Sequence, residues 1–309
     1  MIEAADLTKE YRGGVRAVDG LTFTAPAGAV TGFLGPNGAG KTSTMRLVLG
    51  LDRPTAGTAL IHGRPYRTFE APMRAVGALL GTESVPGGMT AAAHLRWLAR
   101  AGRLPRGRAE VVLGMVGLGD EAGRKVKDFS LGMRQRLGLA AALLGDPGVL
   151  VLDEPVNGLD PEGVRWIRTL LRRLADEGRT VLLSSHLLSE TAATADRVVV
   201  IGGGRLIAEA GIDEVVRRGS GPVSVETPQA GLLARLVAEE GAEAEPGPGG
   251  RVSVRGLDAR RVGELAARHG VVLHGLGQES PDLEEVFFEL TRDSARHTFA
   301  SAGMNGDRR

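Results

Sequence analysis

Gly35-Pro36-Asn37-Gly38-Ala39-Gly40-Lys41-Thr42 fits the pattern G-x-x-x-x-G-K-[ST] without a gap. An apolar stretch, Ala29 to Leu34, precedes it, and a helix is predicted from Lys41 to about Gly50. Strand, glycine loop and helix in that order build an anion cradle. The glycines let the backbone curl until successive N–H groups face one point. The following helix turns its positive end to the same place. Lys41 then reaches the β- and γ-phosphates of a nucleotide, and the Thr42 hydroxyl is a hard oxygen ligand for Mg²⁺. Gly35 to Thr42, with Ser43, are the candidate nucleotide contacts, and ATP with Mg²⁺ is the expected ligand.

A carboxylate partner lies downstream. Val149-Leu150-Val151-Leu152-Asp153 is a continuous apolar run ending in an acid, followed at once by Glu154. Such a run reads as a strand buried on both faces of a parallel sheet. Asp153 at its end would hold Mg²⁺, and Glu154, on the other side of the strand axis, would orient or deprotonate an attacking water.

The rest of the chain alternates in the same way. Short antiparallel strands are predicted between Ile2 and Ala27, and strands at Thr58 to His62 and Val76 to Leu80. Between Thr82 and Asp128, Ala, Leu and Arg recur at helical spacing, and another helix runs from Leu131 to Leu144 before Gly145-Asp146-Pro147 stops it. Strands are predicted at Thr180 to Ser184 and Arg197 to Gly202, with a helix from Glu162 to Glu177. Buried strands alternating with helices indicate an α/β fold. After Gly211 the order changes. Strands at Val223 to Glu226, Arg251 to Arg255 and Val271 to Leu276 alternate with helices at Ala230 to Glu240 and Asp258 to His269. Gly241 to Gly250 reads as a Pro/Gly/acidic turn, and Asp282 to Leu290 as a last helix. That suits a small α+β domain of ferredoxin-like type, with a polar, disordered tail from 293 to 309.

Composition excludes several classes. Of 309 residues, 42% are hydrophobic and 24% charged, and the formal net charge is +1, so bulk charge gives no sign of nucleic-acid binding. There is no cysteine, which removes disulfides, thiolate catalysis and Cys-based metal sites. Met1 to Glu10 carries three acids and no apolar block, unlike a signal peptide. No apolar run approaches the roughly 20 residues a membrane span needs, so the chain reads as soluble.

Together these residues resemble the ATP-binding subunits of ABC transporters, within the branch of drug-resistance exporters typified by those for daunorubicin. The resemblance spans nearly the whole chain. Phe129-Ser130-Leu131-Gly132-Met133-Arg134-Gln135-Arg136 is similar to the family signature, Leu-Ser-Gly-Gly-Gln in its common form, with Ser130 and Gly132 in agreement. Asn157-Gly158-Leu159-Asp160 is similar to the loop that crosses the family's dimer interface. Ser184-Ser185-His186 matches the strand end that carries its switch histidine.

The resemblance implies a P-loop NTPase core with an N-terminal antiparallel β-subdomain (residues 1–210), a helical insert at about 82–145, and a C-terminal domain at 211–292. It implies that Tyr11 stacks on the adenine and that His186 bonds the γ-phosphate and steadies Glu154. Ser130, Gly132 and Asp160 would act in trans in an ATP-sandwich dimer. The partners implied are a second copy and a separate integral membrane permease, with no nucleic acid, and the location is peripheral, on the cytoplasmic face of the cell membrane. One departure stands out: the family's glutamine after the Val76 strand is Gly81 here, with Glu83 two residues on. Val85 to Trp97 would dock the permease, although Trp97 reads equally as core. His62, His94, His269, His274 and His297 read as surface or packing residues.

Other classes fit less well. A permease-free ABC-type ATPase acting on ribosomes normally carries two phosphate loops, and one acting on DNA needs a long coiled-coil insert, for which the stretch from Lys41 to Ser130 is too short. A P-loop switch or kinase would lack the signature and His186 elements.

Overall fold

The computed structural model describes residues 1–81, 85–219 and 221–278. They divide into two compact units, one spanning Met1–Ile212 and the other beginning at Asp213.

The first unit opens with β1 (Ile2–Glu10) and β2 (Arg16–Ala25), which pair antiparallel. β3 (Ala29–Leu34) leads into α1 (Lys41–Val48). β4 (Ala56–Ile61) returns to pair antiparallel with β1, completing a three-stranded sheet in the order β2-β1-β4. A short α2 (Pro72–Ala75) precedes β5 (Val76–Leu79). Three helices follow: α3 (Ala91–Ala101), α4 (Arg108–Met115) and α5 (Leu131–Leu143). Next come β6 (Val149–Leu152), α6 (Pro161–Asp176), β7 (Thr180–Ser185), α7 (Leu188–Ala192), β8 (Arg197–Gly202) and β9 (Arg205–Gly211). The main sheet has six strands in the order β5-β6-β7-β3-β8-β9, parallel throughout except for β9 at one edge.

The pleat sorts side chains between two cores. Val149, Val151 and Leu182 pack with β1, β2 and α1, whereas Leu150, Leu152, Val181 and Leu183 pack with α3 to α6. All four side chains of β6 are fully buried, each contributing about 1.5–3 kcal/mol relative to exposure. α6 buries Gly163, Ile167, Leu171, Leu174 and Ala175, a single helical stripe. Because β3, β6 and β7 are parallel neighbours, their carboxyl ends emerge at one edge, where open α/β sheets bind ligands.

α8 (Ile212–Gly219) leads into the second unit. Its elements are β10 (Val223–Glu226), α9 (Ala230–Glu239), β11 (Glu243–Pro246), β12 (Arg251–Arg255), α10 (Ala259–Arg268) and β13 (Gly275–Gln278). The sheet order β11-β12-β10-β13, antiparallel throughout, is the ferredoxin-like βαββαβ arrangement.

Two expectations change here, and one strand is new. The region read as a turn, Gly241 to Gly250, contains edge strand β11. The last strand begins at Gly275 rather than Val271, because 271–274 is bonded elsewhere. Val271 N–H donates to Ala266 C=O (2.9 Å), Val272 N–H to Gln229 Oε1 (2.9 Å), and Thr227 Oγ1 to Val272 C=O (2.7 Å). β9 had no sequence expectation. The helix expected at 282–290 and the tail lie outside the described residues.

Candidate functional site

The loop after β3 is shaped by close backbone approach. A Cβ on Gly35 would lie 2.6 Å from the Ile201 carbonyl oxygen. Gly40, the residue before α1, has φ +100°, and a Cβ there would lie 2.3 Å from the Ala17 carbonyl oxygen. Both positions admit only glycine. Thr44 donates from N–H and Oγ1 to the Gly40 carbonyl (2.9 Å each), fixing the first turn of α1. The result is a cleft of about 440 Å³ lined by Pro36 to Ser43, Asp153, Glu154 and His186, with Ala17 and Asn157.

The carboxylates are held from several directions. Thr42 Oγ1 donates to Asp153 Oδ2 at 2.7 Å. Ser184 Oγ donates to Asp153 Oδ1 and accepts the Glu154 N–H at 2.9 Å. His186 Nδ1 lies 2.8 Å from Glu154 Oε2, while Lys41 Nζ lies 3.7 Å from Oε1. Glu154 sits at φ +50°, in the left-handed region, a conformation that costs a non-glycine residue about 1–2 kcal/mol. Strain of this kind persists where surrounding bonds over-determine it.

Lys41 is only 7% exposed. Its ammonium donates to the Gly35 carbonyl at 2.7 Å and the Pro36 carbonyl at 3.4 Å. Burial pushes its pKa down, and the carboxylates of Glu154 and then Asp153 push it part of the way back. A desolvated cation with incomplete compensation favours an incoming anion.

The other expected residues lie elsewhere. Tyr11 is not in the cleft lining: its hydroxyl donates to Asp52 Oδ2 (3.1 Å), and Lys9 Nζ stands 5.1 Å from its ring centre. Ser130, Gly132 and Asp160 line a second cleft, of about 560 Å³, that shares no residue with the first. Ser130 Oγ caps α5 by accepting the Met133 N–H (3.2 Å), and Asp160 Oδ1 caps α6 by accepting the Gly163 N–H (2.8 Å). Gly132 faces Leu159: a Cβ there would lie 3.3 Å from Leu159 Cδ2. Gly81 has φ +124° with open space around a Cβ, and Glu83 lies outside the described residues. Trp97 is 60% exposed, which removes the core reading, and His94, by contrast, is buried. Ser184, which no sequence pattern marks as functional, bonds both acidic residues, donating to Asp153 Oδ1 and accepting the Glu154 N–H.

Among the described residues no group of three or more His, Asp or Glu could hold a metal ion by itself, and no helix is long and apolar enough to cross a membrane.

Comparison with known proteins gives the same picture. The ABC transporter family matches residues 18–157, and a domain of unknown function matches 221–284. The bacitracin transport ATP-binding protein BcrA of Enterococcus faecalis is 35% identical over 297 residues, covering 94% of this chain and 96% of its own. The daunorubicin/doxorubicin resistance ATP-binding protein DrrA of Streptomyces peucetius is 37% identical over 308 residues, covering 94% and 92%. A solved ATP-binding subunit of an ABC transporter superposes with a TM-score of 0.64 at 27% identity, covering 71% of this chain and 92% of its own. With two near full-length relatives above 30% identity, a nucleotide cradle and paired acids at one sheet edge, this chain belongs to the ABC transporter ATP-binding proteins and is an ATP hydrolase of that family.

Proposed function

We propose that the chain powers a bacterial exporter by hydrolysing Mg-ATP in a dimer of two copies, against a separate membrane permease. The carrying observation is the bonded cluster Thr42–Asp153–Ser184–Glu154–His186 at the mouth of the phosphate loop. The amides of 37–42 and Lys41 would take the β- and γ-phosphates. Magnesium would enter with the nucleotide as part of the substrate; among the described residues no group of three or more His, Asp or Glu could hold it alone. Thr42 Oγ1 and Asp153 are hard oxygens of the kind Mg²⁺ accepts beside phosphate and water. Glu154 would take the proton of the attacking water, while His186 fixes its carboxylate and meets the γ-phosphate. Chemistry of this type needs mainly positioning and charge neutralisation.

The signature residues line a cleft apart from the phosphate loop. That separation supports a composite site in which Ser130, Gly132 and Asp160 of one copy close over ATP bound by the other. Tyr11 would have to leave its bond to Asp52 to reach an adenine. Relatives named for bacitracin transport and daunorubicin resistance support drugs, antibiotics or other hydrophobic small molecules as cargo. Exposed Trp97 supports docking of the permease on α3, which would hold the chain at the cytoplasmic face of the membrane.

The test is Glu154→Gln. It should keep Mg-ATP binding, lose turnover by about 10²–10⁴-fold, and elute as an ATP-dependent dimer in size exclusion. Native turnover in that variant would contradict the reading.

A further inference from the structure

The structure assigns Gln135, on the signature helix, as a positioning residue for Glu154. This rests on Glu154 being the base. Gln135 is 5% exposed, in the second turn of α5. Its Nε2 donates to two successive carbonyls beyond β6, Glu154 at 3.1 Å and Pro155 at 2.9 Å. Both partners are acceptors, so only the amide NH₂ group can serve them. No other residue type of this length and neutral charge offers two donors from one atom.

The bonds fall where the backbone needs support. Glu154 is held at φ +50°, a conformation a non-glycine residue leaves unless its neighbours prevent it. Its N–H is fixed by Ser184 and its carbonyl by Gln135 (3.1 Å) together with the Asn157 N–H (3.2 Å). With both ends of the residue pinned, the carboxylate projects to His186 and Lys41 rather than along an extended continuation of β6. Losing Gln135 would leave the Glu154 carbonyl to the Asn157 N–H alone (3.2 Å) and the Pro155 carbonyl without its side-chain donor, loosening the backbone that aims the carboxylate at the water. The bonds also join two working parts. α5 is capped by Ser130, in the signature cleft. The same helix that meets ATP in the proposed composite site therefore holds the base of its own chain's phosphate loop.

The experiment compares steady-state ATPase kinetics, Mg-ATP binding and thermal melting of the full chain with Gln135→Met, Gln135→Glu, Glu154→Gln and the Gln135→Met/Glu154→Gln double variant. Methionine keeps the buried volume and removes both donors. The expected result is a kcat fall of about 10²-fold, with KM, Mg-ATP affinity and Tm close to native, and no further loss in the double variant beyond Glu154→Gln. A glutamate at 135 accepts when ionised and donates once protonated. The ratio of its kcat to the native kcat should therefore rise as pH falls from 8 to 6, a response that simple packing would not give. Native kcat in Gln135→Met beside a dead Glu154→Gln overturns the inference alone. So does a joint loss of Tm and nucleotide affinity without recovery of Gln135→Glu at low pH. Native turnover in Glu154→Gln removes the reading of the base itself, and the inference with it.

Discussion

At the scale of single residues, the site depends on positions whose geometry tolerates one side chain. Gly40 combines a left-handed φ with a carbonyl 2.3 Å from where a Cβ would sit. Gly40→Ala should cost at least about 1–3 kcal/mol of stability, measured by urea unfolding without nucleotide, and should abolish the thermal shift that Mg-ATP gives the native chain. The eight-residue motif made this position legible, because glycine spacing in a phosphate loop is a direct record of backbone curvature. Lys41 and Thr42 were legible from the same motif, and Asp153, Glu154 and His186 for a related reason: each stands at the end of a buried strand whose direction fixes where the side chain emerges. Gln135 and Ser184 were not. Their partners are a pair of backbone carbonyls and a neighbouring acid, 19 to 31 residues away in sequence, and nothing in local pattern marks such a bond.

At the scale of elements, caps and buried polar groups carry testable consequences. Asp160 closes the N-terminus of the sixteen-residue α6. Asp160→Ala should lower stability by about 1 kcal/mol, while Asp160→Asn, an equally good cap, should leave Tm near native. The second variant therefore isolates any contribution of the carboxylate charge to turnover in the dimer.

His94 of α3 is buried with no bonding partner at Nδ1, and burial pushes its pKa down. The unfolded chain then takes up the proton first, near the ordinary value of about 6.5. Stability is thus full above that pH and declines below it, by at most about 1.4 kcal/mol per pH unit for one group. Melting temperatures of His94→Leu should fall less steeply than native between pH 7 and 5.

Strands buried on both faces, such as β6 and β7, were readable from composition alone. β9 and β11 were not, because an edge strand is held chiefly by backbone bonds to one neighbour. β11, Glu243–Pro246, has no fully buried side chain and includes a proline, which an edge tolerates.

At the scale of the whole molecule, all residues of the phosphate-loop cleft lie between Ala17 and His186, within the first unit. A chain ending at Ile212 should therefore retain Mg-ATP binding, checked by calorimetry, whatever the second unit contributes to assembly or regulation. The central claim is that Lys41 and the loop amides hold Mg-ATP beside Asp153 and Glu154. Isothermal titration of Mg-ATP into the native chain and into Lys41→Ala tests it most directly. The account predicts saturable binding by the native protein and at least about tenfold weaker binding by the variant, a difference of about 1.4 kcal/mol or more. A native chain that takes up no Mg-ATP, or a variant that binds it equally well, would contradict it.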